Sequence, residues 1–313
     1  MDPNSQMPEH RENSVCAVIV TYRPDCARLE QLLSVLTRSV GAVVVTDNGS
    51  PSLDDSYLAK RFPSLIFKKL EVNEGIAVAQ NVGIAVAKSL GASHVLFLDQ
   101  DSVPEDGMVF CLYAALQKLE KAGCRVACVG PRVRFPGSRD LSRFVRLGWF
   151  RGRQGLCRDT TDTIECDVLI SSGTLVPLRV LDDVGAMEER LFIDQVDTEW
   201  CLRAQSKGYR IFGVCGDVLE HSLGEQAYRV WIGRWRRLPR HKPFRYYYIF
   251  RNTVLLFGRS YVPPKWTLYH LRWLLALFLA YGIFASPRSG ELGMMLRGIA
   301  HGLRGITGKL EPR

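Results

Sequence analysis

The chain has 313 residues, 47% of them hydrophobic and 23% charged, enough to bury the core of one large globular domain or of a domain with an appendage. Lys and Arg number 41 against 32 Asp and Glu, and the formal charge of +9 suits nucleic acid, an anionic membrane or a phosphorylated small molecule as partner. Nine scattered cysteines with no CxxC pair argue against a zinc site or a disulfide framework and fit a reducing, cytosolic setting, and residues 1–13 carry no basic-then-apolar leader.

The first two hundred residues alternate short β-rich runs with helical stretches, the signature of an α/β fold. Val15 to Val20 reads as a buried strand, and Leu29, Leu32, Leu33 and Leu36 recur at helical spacing behind it. Ala42 to Thr46 is a second strand ending in the turn Asp47-Asn48-Gly49-Ser50. Leu65 to Leu70 is a third, followed by Asn73-Glu74-Gly75 and a helix over Ile76 to Leu90. A fourth strand, Val95 to Leu98, stops at Asp99-Gln100-Asp101, and Pro104 suits the first turn of the next helix. From Pro131 to about Arg158 the pattern loosens into a basic stretch read as loops and an acceptor-side flap. Cys166 to Ser171 reads as a strand opening into Ser172-Gly173-Thr174. Helices are expected over Leu178 to Val184 and Val196 to Lys207, with Gly208 ending the second, then a strand over Tyr209 to Val214. This divides the chain into a polar tail (1–13), an α/β domain (14–225) and a helical region (226–313) with basic and apolar parts.

In open α/β sheets ligands bind outside the carboxyl ends of the strands. Thr21-Tyr22, Asp47-Asn48, Asn73 to Gly75 and Asp99 to Asp101 therefore face one crevice. Two carboxylates two residues apart suit a hard divalent cation such as Mg2+ or Mn2+ that shares its ligands with substrate phosphates; the plain alternative is a pair of acids capping the next helix. Asp194 and Asp197, three apart, are expected on one helical face, where either is a candidate general base for an acceptor hydroxyl. Glu199 and Arg203 read as a surface ion pair. Asp47 can meet a nucleobase or ribose, or simply close an Asx-turn with Asn48. Asn73 and Gly75 can let backbone approach a nucleotide, or form a plain loop. His221 is a third metal ligand or a diphosphate contact, unless it is an ordinary loop residue. Arg251 and Asn252 offer a phosphate clamp, or belong to a solvated helix with Tyr246 to Tyr248 packed behind it.

Eight motifs in order, Val20-Thr-Tyr22, Asp47-Asn48, Asn73-Glu-Gly-Ile76, Leu96-Phe-Leu-Asp-Gln-Asp-Ser102, Ile170-Ser-Ser-Gly173, Leu191-Phe-Ile-Asp-Gln-Val-Asp-Thr-Glu199, His221-Ser-Leu-Gly224 and Tyr247-Tyr-Ile-Phe-Arg-Asn252, resemble the family 2 glycosyltransferases, and within them the bacterial rhamnosyltransferases that use dTDP-L-rhamnose. The resemblance implies a GT-A fold, a Rossmann-like α/β/α sandwich with a mostly parallel mixed sheet, and an inverting single displacement. It implies Asp101 as metal holder with His221 near the diphosphate, Asp99 at the ribose or a phosphate, Asp47 at the base and Asp197 as catalytic base. Val196 stands where relatives place a Glu before that Asp, so Asp194 is the one near rival. It also implies an acceptor in a surface polysaccharide, lipopolysaccharide or rhamnolipid pathway.

The same fold with a UDP-hexose or UDP-galactofuranose donor is the rival enzyme reading. A nucleic-acid-binding protein, suggested by Arg229, Arg234, Arg236, Arg237, Arg240, Lys242 and Arg245 interleaved with tryptophans, leaves the ordered carboxylates unexplained. Trp273 to Ala285 is uninterrupted by charge, but as a helix it covers only about 20 Å of a bilayer core about 30 Å thick. With basic residues and tryptophans upstream, the expectation is peripheral attachment at the cytoplasmic membrane face, where a lipid-linked acceptor would lie, with a buried core helix as the alternative.

Overall fold

The computed structural model describes residues 12–51, 53, 55–134, 141–149, 152–155, 157–221, 227–231, 235–239, 241–284 and 289–311. In chain order the elements are β1 (Glu12–Thr21), α1 (Cys26–Ser39), β2 (Val40–Asp47), α2 (Asp55–Arg61), β3 (Leu65–Lys69), α3 (Ile76–Ser89), β4 (His94–Asp99), β5 (Ser102–Pro104), α4 (Met108–Lys121) and β6 (Val126–Arg134). There follow β7 (Phe144–Leu147), β8 (Gly152–Gly155), β9 (Thr163–Cys166), β10 (Leu175–Pro177), α5 (Leu178–Val184), a 3-10 turn at Glu189–Leu191, α6 (Val196–Ser206) and β11 (Arg210–His221). The remainder is β12 (Ala227–Trp231), β13 (Trp235–Pro239), α7 (Pro243–Phe257), α8 (Pro264–Phe284) and α9 (Ser289–Leu303).

The central sheet runs β3-β2-β1-β4-β10-β6-β11-β5, with β9 also on β11. Its first four strands are parallel, β10 is antiparallel to both neighbours, and β11 returns parallel to β6. The apolar run of β1 is continuous because both faces are covered. Cys16 and Val18 pack with Ala77, Ile84 and Ala87 of α3, while Val15, Ala17 and Ile19 pack with the four leucines of α1 and with Leu112 and Leu116 of α4. A Cβ on Gly83 would stand 2.2 Å from Val18 Cγ1, so glycine is what lets α3 lie this close to the sheet. Asp25 starts α1 by accepting from the amides of Ala27 and Arg28. Helices on both faces make the expected α/β/α sandwich.

Several local expectations are corrected. Pro104 ends β5, whose backbone pairs with β11, and α4 begins only at Met108 after the left-handed Gly107. Cys166 ends a strand rather than starting one, because Thr163–Cys166 is recruited onto the edge of β11. The stretch read as loops after Pro131 contains the rest of β6 and the β7–β8 hairpin. The C-terminal region opens on a β12–β13 hairpin, with Arg229 opposite Arg237 and Trp231 opposite Trp235. Cys157 and Cys215 form a disulfide, against the expectation from scattered spacing, because β11 carries Cys215 to the chain that precedes β9. Cys16, Cys128, Cys166 and Cys201 are buried free thiols, and burial pushes the Cys16 thiol up to about 12.

The three C-terminal helices pack together through Tyr246, Ile249, Phe250, Leu274, Tyr281 and Met295. Leu202 of α6 meets Leu256, Val262 and Trp266 and joins them to the α/β body. Gly298 and Gly302 allow α9 to touch the α7 backbone, since a Cβ on either would fall within 2.8 Å of a carbonyl oxygen there.

Candidate active site

The ends of β1, β2 and β4 lie side by side, with Thr21 in register with Asp47 and Val20 with Asp99. Asp47 is fully buried. Its carboxylate accepts from Thr21 Oγ1 (2.9 Å), Ser50 Oγ (2.5 Å) and the Ser50 amide (2.8 Å). The Asp47 carboxylate thus closes its own turn with Ser50, in line with the Asx-turn alternative, and Thr21 bonds to the same group. Tyr22 keeps an exposed ring, while its amide donates to Gln100 Oε1 (2.7 Å) and its carbonyl accepts from Gln100 Nε2 (3.3 Å).

Asn48 bridges onward. Its Oδ1 accepts from the Glu74 amide (2.9 Å) and its Nδ2 donates to Asn73 Oδ1 (3.2 Å), which also accepts from the Gly75 amide (3.0 Å). Gly75 has φ of +96°, and a Cβ there would stand 2.5 Å from Phe192 O. The close approach expected of this glycine is therefore made by the Phe192 backbone, and the Ile76 amide donates to Phe192 O.

The Asp99-Gln100-Asp101 turn is fixed from behind by two buried serines. Ser172 Oγ accepts from the Asp99 amide (3.1 Å) and lies 2.7 Å from Ser102 Oγ. Gly173, at φ +83°, donates its amide to Phe97 O and has Pro131 Cγ 2.7 Å from where a Cβ would stand. These hydroxyls belong to Asp-Gln-Asp-Ser and Ser-Ser-Gly, the motifs already singled out, and they explain both. The antiparallel register sets His221 opposite Ser102, next in sequence to Asp101. The side chain of His221 lies outside the described residues.

Asp194 does not share a helical face with Asp197. It precedes α6 in a left-handed conformation, as do Phe192 and Gln195, and its carboxylate is gripped by Arg245 (Oδ1 2.6 Å, Oδ2 3.4 Å). Three non-glycine residues at positive φ within four positions carry strain of about 1–3 kcal/mol each and need external support. Arg251 and Asn252 supply it, which corrects their reading as a phosphate clamp. Both are fully buried: Asn252 Nδ2 lies 2.8–2.9 Å from the carbonyls of Leu191, Ile193 and Asp194, and Arg251 donates to those of Leu191 and Gly308. The two hydrogens of this buried NH2 are shared among three carbonyls of the 191–194 segment, with Leu191 O also served by Arg251 and the Ile193 amide.

Asp197 sits in the first turn of α6 and accepts from the Thr198 amide (2.8 Å). It keeps some accessible surface, yet the protein packed around it pushes its carboxyl above the ordinary range; backbone amides of Thr198 and Ser171 oppose this and the Asp194 charge adds to it. Burial pulls the Arg245 guanidinium down, but Asp194 and then Asp99 outweigh it and hold it above its usual value. Asp99, Asp194, Asp197 and Arg245 thus share one neighbourhood around Ser171 and Ser172. Glu199 is buried rather than on the surface, paired twice with Arg203 and bonded by Tyr261, which makes it a packing element.

Among the described residues no group of three ligand-type side chains is gathered at one point. Two carboxylates at a turn, with an imidazole-bearing strand paired beside it, nonetheless fit a hard divalent ion that completes its sphere with substrate phosphate and water. A groove of about 750 Å3, lined by Pro243, Arg297, His301, Arg304 and neighbours on α9, is a separate feature.

Residues 16–180 match the glycosyl transferase family 2 domain. The chain belongs to glycosyl transferase family 2. It is 31% identical over 307 residues, 95% of its own length and 97% of the other's, to a protein of Shigella flexneri named dTDP-rhamnosyl transferase RfbF. In fold it is similar to GalNAc-T7 solved with UDP, GalNAc and Mn2+ (TM-score 0.59, 14% identity, 93% of this chain and 56% of that one). It is also similar to S. aureus TarS 1-349 solved with UDP-GlcNAc (TM-score 0.55, 14% identity, 93% and 81%). The fold is GT-A and the protein is a glycosyltransferase, as the order of the eight motifs implied.

Proposed function

We propose that this family 2 glycosyltransferase moves L-rhamnose from dTDP-L-rhamnose to an acceptor hydroxyl with inversion. The observation that carries the donor is the full-length relationship to a protein named for dTDP-rhamnosyl transfer. Asp197 is the general base: it takes the hydroxyl proton as the acceptor oxygen bonds to the anomeric carbon and the bond to the diphosphate breaks. A carboxyl raised by burial is a stronger base than a solvated one, and it must be ionised to act. Asp101 and Asp99, with His221 beside their turn, would hold Mg2+ or Mn2+, which when bound supplies positive charge to the departing diphosphate. Arg245 adds a fixed cation on the same side. Tyr22 offers an exposed ring for the base or ribose, while Asp47 and Asn48 shape the pocket from behind.

Transfer assayed over a panel of nucleotide sugars, with and without Mg2+, tests this reading. dTDP-L-rhamnose should be preferred and excess chelator should abolish turnover. Asp101→Ala should lose turnover and Mg2+-dependent nucleotide binding together. The structural neighbours were solved with UDP and UDP-GlcNAc, so a UDP-sugar preference in the same panel would replace the rhamnosyl reading with the UDP-sugar one.

For the acceptor side we propose attachment to a membrane surface through α8. This helix has 21 residues, about 31 Å at 1.5 Å per residue, so it is longer than the charge-free run inside it. Leu271, Leu275, Leu279 and Ile283, four apart, are each more than half exposed. Trp266, Leu274 and Tyr281 on the other side are buried against the protein, which favours lying on a bilayer over crossing it. Lys265 and Arg272 on α8, Arg297 on α9 and Arg304 just after it suit an anionic lipid surface. Anionic vesicles should retain the protein at low salt, and Leu275→Glu with Leu279→Glu should release it.

A further inference from the structure

The last turn of chain after α9 comes back to the nucleotide edge of the sheet. The Gly308 amide donates to Arg190 O (2.7 Å), Arg251 donates to Gly308 O (2.5 Å), and the Leu310 amide donates to Tyr248 Oη (2.7 Å). Between these two anchors Lys309 Nζ donates to Asn73 O at 2.8 Å, across 236 residues of sequence. Asn73 is the hub of the turn that binds Asn48 and Gly75, and Gly75 leans on Phe192.

We propose that Lys309 is a positioning residue for the donor nucleotide, with the Gly308–Leu310 segment as a strap that fixes the Asn73–Gly75 loop against the strained 190–195 loop. The proposal rests on the reading that the Asn73–Gly75 loop frames the donor. The physical case is that Asn73 to Gly75 belong to no helix or strand, and among the described residues their side-chain and amide bonds run to Asn48 or stay within the turn. The strap adds a second tether beside the Ile76 amide bond to Phe192 O. A lysine ammonium on a backbone carbonyl is a charge-assisted bond, stronger than a neutral one, and its neighbours on both sides are pinned by main-chain contacts. The strap thus links two loops that must hold a fixed spacing if a donor is to lie between β2 and α6. Neither Lys309 nor Gly308 lies within the residues that match the family domain, 16–180, so the strap is an addition by the C-terminal region.

The test compares the full-length wild type with Lys309→Met and Lys309→Arg. Donor KM and kcat are read with saturating acceptor, amide hydrogen exchange over residues 73–76 without any ligand, and Tm as a check on folding. Lys309→Met should raise exchange at 73–76 and raise donor KM about fivefold, with kcat and Tm little changed, and Lys309→Arg should restore most of both. Unchanged exchange in Lys309→Met would overturn the tether itself. Faster exchange with donor KM unmoved would overturn the loop's role in donor binding, and so the reading on which the proposal rests. A fall in kcat and Tm with KM unmoved would reduce Lys309 to a merely structural residue and overturn the proposal as well.

Discussion

Asp47 and Asp197 lie at the same edge of the sheet, the first fully buried and the second half-buried, and the protein holds them in different ways. Asp47, at the end of β2, receives a hydroxyl and an amide from Ser50 of its own turn and a second hydroxyl from Thr21 at the end of the neighbouring β1. Asp197 receives main-chain amides only, and burial raises its proton affinity. The same contrast separates the two halves of the site. The β1–β4 half is assembled from strand-end turns that bond to one another across the sheet edge. The 190–197 arm is held in a strained shape by residues of α7 and the C-terminal strap. A buried carboxylate bound by neighbouring hydroxyls is a structural part, whereas one held by main-chain amides, with its proton affinity raised by burial, is suited to proton transfer.

The largest expected effect is at Asp197. Asp197→Asn keeps shape but removes the proton acceptor, so transfer should fall by about 10²-fold or more while donor binding survives. With Asp197 as the proposed base, activity would require the ionised form of a carboxyl whose pKa is raised, so the acid limb of kcat against pH should lie above the ordinary carboxylate range. That limb should vanish in Asp197→Asn. Near-normal transfer by the variant, or an equal loss in Asp194→Asn, would move the base elsewhere and dissolve the contrast with Asp47.

Next comes the support of the arm. Asn252→Ala strips one buried amide from three carbonyls and frees three residues held at positive φ, which should cost about 3 kcal/mol of stability. Urea unfolding measures it, and the same variant should lose turnover, because α6 begins where the arm ends. If the loss proves no larger than that of an exposed-surface change, the arm holds itself and the comparison fails on that side.

The two halves also differ in what could be read from sequence. Strand-end turns such as Asp47 to Ser50 and Asp99 to Asp101 combine a change of hydrophobic period with local turn chemistry, and both signals lie within a few residues. Arg251 and Asn252 were visible as a charged and polar pair, but not as supports for Leu191 to Asp194. Their partners are about 60 residues away, and nothing in a helical heptad says which way an arginine will be buried. Asp194 and Asp197 show the same limit, since equal spacing suggests one helical face only if the helix includes both, and α6 begins between them. The Lys309 contact and the Cys157–Cys215 bridge depend on long-range return of the chain, which spacing cannot encode.

Asp217 on β11 offers the smallest effect and tests the rule behind the comparison in a place without catalysis. It is buried in the strand that carries His221, and its Oδ2 has no partner among the described residues. Burial pushes its carboxyl up to about 7 from an ordinary 3.8, with Glu105 adding to the rise and a hydrogen bond from Cys111 opposing it. The folded state therefore holds a proton that the unfolded chain releases near pH 4. Stability contributed by this group is fully present below the unfolded value, declines as pH climbs from about 4 toward 7, and is flat beyond. Asp217→Asn keeps the shape without the titration, so its advantage over the wild type should be small near pH 4 and reach about 1–2 kcal/mol at pH 8. The full three-unit shift corresponds to about 4 kcal/mol, and relaxation and water penetration around the wild-type carboxylate account for the lower figure. Thermal unfolding of both proteins from pH 5 to pH 8 reads the difference directly. A Tm gap that stays constant across that range would show that burial need not make a carboxylate proton-hungry in this fold, and would remove the same argument from Asp197.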